Sequence, residues 1–432
     1  MSPHMTGVFG IIGFLTLAFL GLPLAFSFAT MGFVGIMLIR GVAPGLSSIG
    51  DTPYSEMANY VLSTIPLFVL MGQFAFHSGI SRDLFKAAHK WMGKLPGGLA
   101  LATMLACTGF AACTGSSVAS AATMGTIAFP EMQRYKYHPR LSTGVIAVGG
   151  TLGILIPPST TFIIYGIITQ TSIGDLFIAG IFPGIILSAF FCGTIYLICK
   201  RHPEFGPPGE PFSFRERFTS LAGIWGMVAL FILVIAGLYF GFFAPSEAGT
   251  IGAFGALVIA LVRRRMTWSS FWTALLETAR TSCFILITLV GAMLFNTFLT
   301  MTGLPQAASQ WITTLPVPPF VTLIIILFFY IPLGMLIEGM AMLLLTIPFV
   351  FPIIQGFGYD PVWFGVIMCV LVEFSLISPP VAINLYVVQG VTKVPLHEVA
   401  RGIVPFIAAY LFCLVLLIIF PQISLFLPGT MK

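Results

Sequence analysis

Two Pro-Pro pairs interrupt apolar segments that are otherwise long enough for a helix, and polar side chains flank both. The first run is Pro157-Pro158-Ser159-Thr160, and the second is Ser378-Pro379-Pro380, with Asn384 one helical turn later. Because proline donates no backbone hydrogen bond and disfavours helical geometry in the residue before it, we expect each helix to unwind there. Freed carbonyl oxygens suit a hard cation such as Na⁺, and the positive ends of the half-helices that follow suit an anion.

Two turns, around Gly115-Ser116-Ser117 and around Glu338-Gly339, are predicted to meet these breaks. Residues 114–120 and 337–340 each separate two short apolar arms, which is typical of a re-entrant helical hairpin. The predicted Na⁺ ligands are Ser116, Ser117, Ser120, Gly150, Gly153, Pro157, Gly339, Ser378 and Pro379. The predicted anion contacts are Gly115, Ser116, Ser159, Thr160, Glu338 and Asn384. Alternatively, the prolines only kink a helix and the small residues only allow close packing, but two breaks that are each paired with a hairpin favour a site.

Glu338 and Glu373 are the carboxylates expected within the membrane, where an ionisable group is a functional hypothesis by default. They could neutralise a cation or relay protons, and Glu373 could instead hydrogen-bond a neighbouring helix. No catalytic residue is predicted. The run 397–401 begins like the zinc-binding HExxH pattern but ends in Arg401, and no GxxxxGK[ST] run is present to cradle a phosphate. Hydrolysis of ATP by this chain is therefore not expected.

Composition indicates which elements position these residues. Of the 432 residues, 58% are hydrophobic and 8% are charged, whereas about 25% of residues are charged in soluble domains. Apolar runs near the ~20 residues that cross a bilayer as a helix recur from end to end, so we predict an all-α integral membrane protein. The net charge of +5 indicates membrane topology rather than a nucleic-acid partner, because the basic residues lie at the ends of apolar segments. The seven cysteines lie in apolar segments without a CxxC pair, as small buried hydrophobes do.

A shift of 222 residues aligns the two halves of the sequence. It pairs Pro157-Pro158 with Pro379-Pro380 and Tyr137-His138-Pro139 with Tyr359-Asp360-Pro361. We therefore predict two repeats, each with a re-entrant hairpin and a transmembrane helix broken by Pro-Pro. Residues 1–222 contain a predicted hairpin at about 97–130 and a broken helix at about 139–170, and residues 223–432 contain a hairpin at about 318–356 and a broken helix at about 361–392.

The distribution of basic residues predicts the orientation of these repeats. Seventeen of the 19 Lys and Arg residues fall in loops predicted on one side, and the positive-inside rule makes that side the cytoplasm. Both termini then face the periplasm. The amphipathic segments 79–95 and 303–315 follow the third crossing of each half and fall on opposite sides, so we predict that the repeats are inverted.

The sequence resembles the large membrane subunit of tripartite ATP-independent periplasmic (TRAP) transporters. The resemblance covers essentially the whole chain and rests on GSSVA at 115–119, GTLGILIPPS at 150–159, APSEA at 244–248 and ISPPVAINL at 377–385. It implies Na⁺-driven uptake of a small organic anion by an elevator motion in the bacterial inner membrane. It also implies two partners, a small four-helix membrane subunit and a periplasmic substrate-binding protein. Two residues depart from the family pattern: Ser378 stands where Thr is usual, and Ala382 where Gly is common.

Two other classes of protein are alternatives to a secondary transporter. An intramembrane enzyme needs convergent catalytic groups such as a Ser/His pair or paired Asp, which this sequence does not offer. A channel or scaffold subunit does not need two closed hairpins that meet at the midplane of the membrane. C4-dicarboxylates, sugar acids and small sulfonates all remain open as the anion, because a soluble binding protein would make most of the selection.

Overall fold

The computed structural model describes residues 2–209 and 211–431, which fold into helices joined by short turns, without a β-strand. Seven of these helices are long and apolar enough to cross a membrane, or eight if a pair bent by 48° is counted as one span. The all-α membrane fold class predicted from composition is therefore confirmed.

The helices follow one another in this order in the first half of the chain: α1 (Pro3–Phe19), α2 (Leu24–Arg40), α3 (Val42–Met57), α4 (Thr64–His77), α5 (Ile80–Met92), α6 (Gly98–Thr114), α7 (Ser117–Arg134), α8 (Pro139–Thr151), α9 (Thr160–Thr169) and α10 (Ile173–Arg201). A short helix α11 (Phe214–Leu221) precedes the second half. There the order is α12 (Trp225–Tyr239), α13 (Pro245–Val262), α14 (Trp268–Thr302), α15 (Leu304–Thr314), α16 (Pro319–Leu336), α17 (Gly339–Gly356), α18 (Pro361–Ile377), α19 (Ile383–Thr392), α20 (Leu396–Ile419) and α21 (Gln422–Leu425).

The two broken helices begin with the same local chemistry. Proline occupies the first position of α8 and of α18, where its missing N–H costs nothing. His138 caps α8 by accepting a hydrogen bond of 3.2 Å from the Arg140 amide, and Asp360 caps α18 by accepting one of 2.8 Å from the Val362 amide. The breaks themselves separate α8 from α9 and α18 from α19, and both Pro-Pro peptide bonds are cis.

Packing divides the helices into two bundles that each mix both halves of the sequence. In the first bundle, α14 packs along α2 and α4, and α13 packs on α4 and α12. In the second, the hairpin α6–α7 packs on α8, α8 packs on α20, and α19 packs against both α7 and α8. The contact of α8 with α20 is so close that a Cβ on Gly144 would lie 2.4 Å from the backbone oxygen of Gly402.

One helix was not expected from sequence patterns. Those patterns predict no element between residues 40 and 58, yet α3 fills Val42–Met57 and buries only Gly45. Glycine, proline and hydroxyl residues in this segment obscure its helical period. The division of the chain at residue 222 and the inverted orientation of its halves stay predictions.

Candidate functional site at the first helix break

The tip of the first hairpin lies against the first Pro-Pro break. Gly115 ends α6 in the left-handed conformation at φ +59, and a Cβ there would lie 2.8 Å from the backbone oxygen of Pro158. Glycine tolerates both the left-handed backbone conformation and this close approach of the two backbones. The Thr160 hydroxyl donates a hydrogen bond of 3.2 Å to the Gly115 carbonyl. Ser116 caps α7 by accepting a hydrogen bond of 3.3 Å from the Ala119 amide.

Oxygen atoms converge where the broken helix passes this hairpin. A Cβ on Gly153 would lie 2.7 Å from the backbone oxygen of Ser116 and 2.9 Å from the Ser120 hydroxyl. That hydroxyl is fully buried and lies 2.9 Å from the hydroxyl of Thr114. We call these three oxygens beside Gly153 the oxygen cradle. Neutral oxygens of this kind are the ligands that hard cations prefer.

Asn384, from the second half, lies on the other side of the same hairpin tip. Its side-chain amide donates hydrogen bonds of 2.6 Å to the Ser117 hydroxyl and of 3.1 Å to the Ala147 carbonyl. The residue is fully buried, and its side-chain oxygen has no hydrogen-bond partner among the described residues. Burying an oxygen without a hydrogen-bond donor costs folding free energy unless a bound ligand supplies the missing interaction. Asn384 was predicted as an anion contact, but the structure places it beside the predicted Na⁺ ligand Ser117.

Three other predicted residues lie close to the cradle in packing or capping positions. Gly150 lets α8 approach α7, since a Cβ there would lie 2.7 Å from the Cβ of Ala121. Pro157 is buried within the break. The Ser159 hydroxyl donates to the Ile154 carbonyl and accepts a hydrogen bond of 3.3 Å from the Phe162 amide, so it caps α9.

The second hairpin tip forms a separate cluster. Glu338 caps α17 by accepting a hydrogen bond of 3.1 Å from the Ala341 amide. A Cβ on the next residue, Gly339, would lie 2.7 Å from the Ser375 hydroxyl of α18. The Ser378 hydroxyl donates a hydrogen bond of 2.8 Å to the Phe374 carbonyl at the end of that helix.

The second Pro-Pro break is more open than the first. Pro379 and Pro380 are exposed, whereas Pro157 and Pro158 are buried. Ala382 begins α19 at φ +25, in the region that favours glycine, and this is the position at which the family pattern has Gly. The two breaks therefore differ in environment although their sequences match.

A cavity of about 250 Å³ lies between the first hairpin and the first bundle. Its polar lining comes from Thr114, Ser116, Thr123, Thr160, Gln73 and Thr281. None of the lining residues is Lys, Arg or His. The structure thus brings the predicted anion contacts Ser116 and Thr160 together in one cavity, and it leaves the other four outside the lining: Gly115, Ser159, Glu338 and Asn384.

Glu373 links the first break to the second half of the chain. It is fully buried, and its carboxylate accepts a hydrogen bond of 3.5 Å from the Tyr410 hydroxyl. The Tyr410 hydroxyl is also hydrogen-bonded to the Thr151 hydroxyl. The other oxygen of Glu373 has no hydrogen-bond partner among the described residues. These contacts match the hypothesis that Glu373 bonds neighbouring helices.

Residues 11–423 match the family described as the tripartite ATP-independent periplasmic transporter, DctM component. The chain belongs to this family. It is 35% identical to the C4-dicarboxylate TRAP transporter large permease protein of Pseudomonas aeruginosa, over 93% of this chain and 94% of that protein. It is 31% identical to the sialic acid TRAP transporter large permease protein of Vibrio cholerae, over 97% of each chain. The resemblance noted in the sequence is therefore confirmed, and this TRAP large permease is a transporter rather than an enzyme.

Solved structures show the same fold in more distant proteins. The crystal structure of the YdaH transporter from Alcanivorax borkumensis aligns with a TM-score of 0.60 at 15% identity and covers 98% of each chain. MtrF of Neisseria gonorrhoeae aligns with a TM-score of 0.59 at 13% identity, over 89% of this permease and 85% of MtrF. These alignments support a membrane-transporter fold for the permease.

Thr123 on α7 and two polar residues from the first bundle, Gln73 and Thr281, line the cavity of this permease and were not predicted from the sequence. Gln73 and Thr281 are the informative cases. Each is a polar side chain within an apolar helix, α4 or α14, and each lines the cavity opposite Ser116. An isolated polar residue in a membrane span is the signal that could have identified them. The sequence motifs instead predict a site at the breaks and the hairpin tips.

Proposed function

We propose that this permease moves Na⁺ together with a small organic anion across the bacterial inner membrane. The oxygen cradle beside Gly153 carries this proposal, because it offers hard, neutral ligands where a helix has unwound. The unpartnered oxygen of Asn384 and the Ser117 hydroxyl lie beside the same tip and add to the ligands available. Gly339, Ser378 and Pro379 are the proposed residues for an ion at the second break.

The cavity beside Ser116 is the proposed anion site. Thr160 stands at the N-terminus of α9, where the helix dipole favours negative charge, and Gln73 and Thr281 face it with hydrogen-bond donors. Relatives named for transport of C4-dicarboxylate, sialic acid and isethionate support a small organic acid as the substrate class. Because these relatives are named for different acids, they support small organic acids as a class of substrate rather than one compound.

The two bundles provide the two bodies that an elevator motion requires. The second bundle contains the cradle, and α18 packs on its helices α8 and α20 and carries the second hairpin, α16–α17. The first bundle contributes Gln73 and Thr281 to the far wall of the cavity. Sliding of the second bundle past the first would carry the site across the membrane. The one-sided Lys and Arg distribution supports a cytoplasmic location for those loops and a periplasmic location for both termini.

Two partner proteins follow from membership of a tripartite family. We propose that a periplasmic binding protein delivers the anion and that a small membrane subunit packs on the first bundle. The isethionate TRAP transporter permease protein DctMQ of Oleidesulfovibrio alaskensis supports a further subunit, because the alignment at 30% identity spans 95% of this chain but only 64% of that longer relative.

Flux measurements test the proposal directly. The permease is reconstituted in sealed proteoliposomes with its small subunit, and the loaded binding protein is supplied outside. Uptake of a labelled organic acid should require an inward Na⁺ gradient and should not require ATP. Undiminished uptake with K⁺ in place of Na⁺, at the same membrane potential, would contradict Na⁺ coupling. Passive flux that never exceeds equilibrium would indicate a channel instead.

A further inference from the structure

A basic surface lies away from the transport site, where α5, α11 and residues 263–265 meet. These three segments contain eight Lys or Arg residues and only two acidic residues, Asp83 and Glu216. Asp83 is already neutralised, because Arg263 and Arg265 contact its carboxylate at 2.7 and 2.9 Å. The Glu216 carboxylate accepts hydrogen bonds of 2.9 and 2.8 Å from the amide and hydroxyl of Ser213. The surface therefore keeps an excess of positive charge.

A cavity of about 270 Å³ opens on this surface between α5 and α11. Lys86 and Lys90 line it on successive turns of α5, together with His89 and Asp83, whose carboxylate is paired with Arg263 and Arg265. Phe212, Thr219 and Ser220 lie on the facing side. Glu216 interacts electrostatically with Lys90, but neither lysine forms an ion pair within 4.0 Å among the described residues. Two ammonium groups beside a cavity provide an environment suited to an anion.

The membrane depth of this cavity follows from α11. Phe214 and Phe218 are 75% and 61% exposed and lie four residues apart, on one face of the helix. α11 bends by 48° into the apolar span α12, whose first residue, Trp225, is also exposed. A helix with an aromatic face and basic residues that adjoins a membrane span lies in the headgroup region. The Trp91 indole holds α11 against α5 by donating a hydrogen bond of 3.2 Å to the Arg217 carbonyl.

We propose that this cavity binds the headgroup of an anionic phospholipid. Its phosphate contacts Lys86 and Lys90, and its acyl chains lie along Phe214 and Phe218. Negative lipid headgroups complement clusters of Lys and Arg at a membrane surface, and the aromatic face gives the acyl chains a partner that a free phosphate ion lacks. The site is independent of Na⁺ coupling, since it shares no residue with the oxygen cradle or its cavity.

Native mass spectrometry of the purified full-length permease tests the site. Phosphatidylglycerol and phosphatidylcholine with identical acyl chains are titrated into the wild type and into a K86Q/K90Q variant. We expect the variant to bind phosphatidylglycerol roughly 30-fold more weakly, since each lysine at an anionic surface contributes about five-fold. A K200Q/R201Q variant is the matched control, because it removes the same charge from the exposed end of α10 and should bind like the wild type.

Three outcomes would overturn the proposal: K86Q/K90Q binds phosphatidylglycerol like the wild type, the wild type binds both lipids equally, or K200Q/R201Q loses as much affinity as K86Q/K90Q. Displacement of phosphatidylglycerol by inorganic phosphate alone would also overturn it, because the ligand would then be a soluble anion. If K86Q/K90Q elutes as an aggregate, the single variants Lys86→Gln and Lys90→Gln replace it, and each should lose about five-fold. An F214S/F218S variant should lose phosphatidylglycerol while both lysines remain.

Discussion

The side-chain amide of Asn384 donates a hydrogen bond of 2.6 Å to the hydroxyl of Ser117, although 267 residues separate the two in sequence. Ser117 is in the first turn of α7, and Asn384 is in the first turn of α19, directly after the second break. Both residues are buried. The first hairpin tip is therefore completed by a residue from the other half of the chain.

Replacement of Asn384 by alanine should lower the free energy of unfolding by about 2 kcal/mol, because it leaves the buried Ser117 hydroxyl without its partner and removes the side-chain hydrogen bond to the Ala147 carbonyl. A double-mutant cycle with Ser117→Ala should give a coupling energy of about 1 kcal/mol. Reversible unfolding in mixed detergent provides the measurement, and Tyr386→Phe on the exposed side of α19 is the control. Strictly additive effects would contradict a direct interaction.

Ser120→Ala should raise the Na⁺ concentration that gives half-maximal uptake by about ten-fold, since it removes one oxygen of the cradle, and a ten-fold change corresponds to about 1.4 kcal/mol. Thr126→Ala is the control: Thr126 lies on the same helix, its hydroxyl donates a hydrogen bond to the Thr123 carbonyl rather than to the cradle, and its side chain is exposed. Uptake by both variants is measured across a Na⁺ titration at constant ionic strength. An unchanged Ser120→Ala curve would exclude the cradle as the ion site.

Anion affinity should rise with Na⁺ concentration. No basic residue lines the cavity beside Ser116, so the bound cation supplies the counter-charge, and coupling between two ligands is reciprocal. The expected coupling is about ten-fold in affinity. Binding of a labelled organic acid to the purified permease is measured with Na⁺ replaced stepwise by choline. A flat dependence, or an Arg or Lys found on the bound anion, would contradict this expectation.

Gly144→Ala should destabilise the permease by about 1–3 kcal/mol, because the new Cβ would lie 2.4 Å from the backbone oxygen of Gly402, which cannot move aside without shifting α20. Gly193→Ala is the matched control on α10. No atom lies within 4 Å of its added Cβ, so the helix propensity of alanine should stabilise the protein by about 0.5 kcal/mol. Equal effects of the two substitutions in detergent unfolding would show that α8 and α20 are not in backbone contact.

The pH dependence of stability should report on Glu56, which lies on α3 and lines a cavity with Asn59 and Gln170. Burial raises the pKa of the Glu56 carboxyl above its ordinary value, so the folded state holds this proton more tightly than the unfolded state. Stability contributed by this group is therefore lost as pH rises above about 4.3. Glu56→Gln should be more stable than the wild type at pH 7 and equal to it at pH 4.

The exposed Asp51→Asn on the same helix is the control for Glu56, and it should not reproduce the gain. Thermal unfolding of the detergent-solubilised protein between pH 4 and pH 7.5 distinguishes them. A Glu56→Gln variant that is no more stable than the wild type at pH 7, or that is equally stabilised at pH 4, would contradict a raised pKa of the Glu56 carboxyl.

The helix breaks and the close approach of the first hairpin tip to the first break could be predicted because they depend on local chemistry. Pro-Pro pairs unwind a helix wherever they occur, and Gly115 and Gly153 indicate close backbone approach before any tertiary contact is known. The partner of Ser117 could not be predicted in the same way. Asn384 has the polarity of an anion ligand, and only the packing of α19 against α7 directs its amide to the hairpin instead.

Other features depend on tertiary packing that sequence periodicity does not record. Gln73 and Thr281 line the cavity because α4 and α14 face the hairpin, and α3 was not predicted because glycine, proline and hydroxyl residues interrupt its apolar pattern. Ala382 is an intermediate case. Its departure from glycine was visible in the sequence, but the positive φ that makes this departure meaningful is visible only in the structure.

The packing of α19 against α7 and α8 has a consequence for biogenesis. The ribosome delivers α7 and α8 to the membrane long before it synthesises α19. Until then, the Ser117 hydroxyl and the Ala147 carbonyl lack the hydrogen bonds that Asn384 donates. The second bundle therefore cannot close until translation is nearly complete. A chain truncated before Ile383 would retain every helix of the first half and still lack the residue that completes the first hairpin tip.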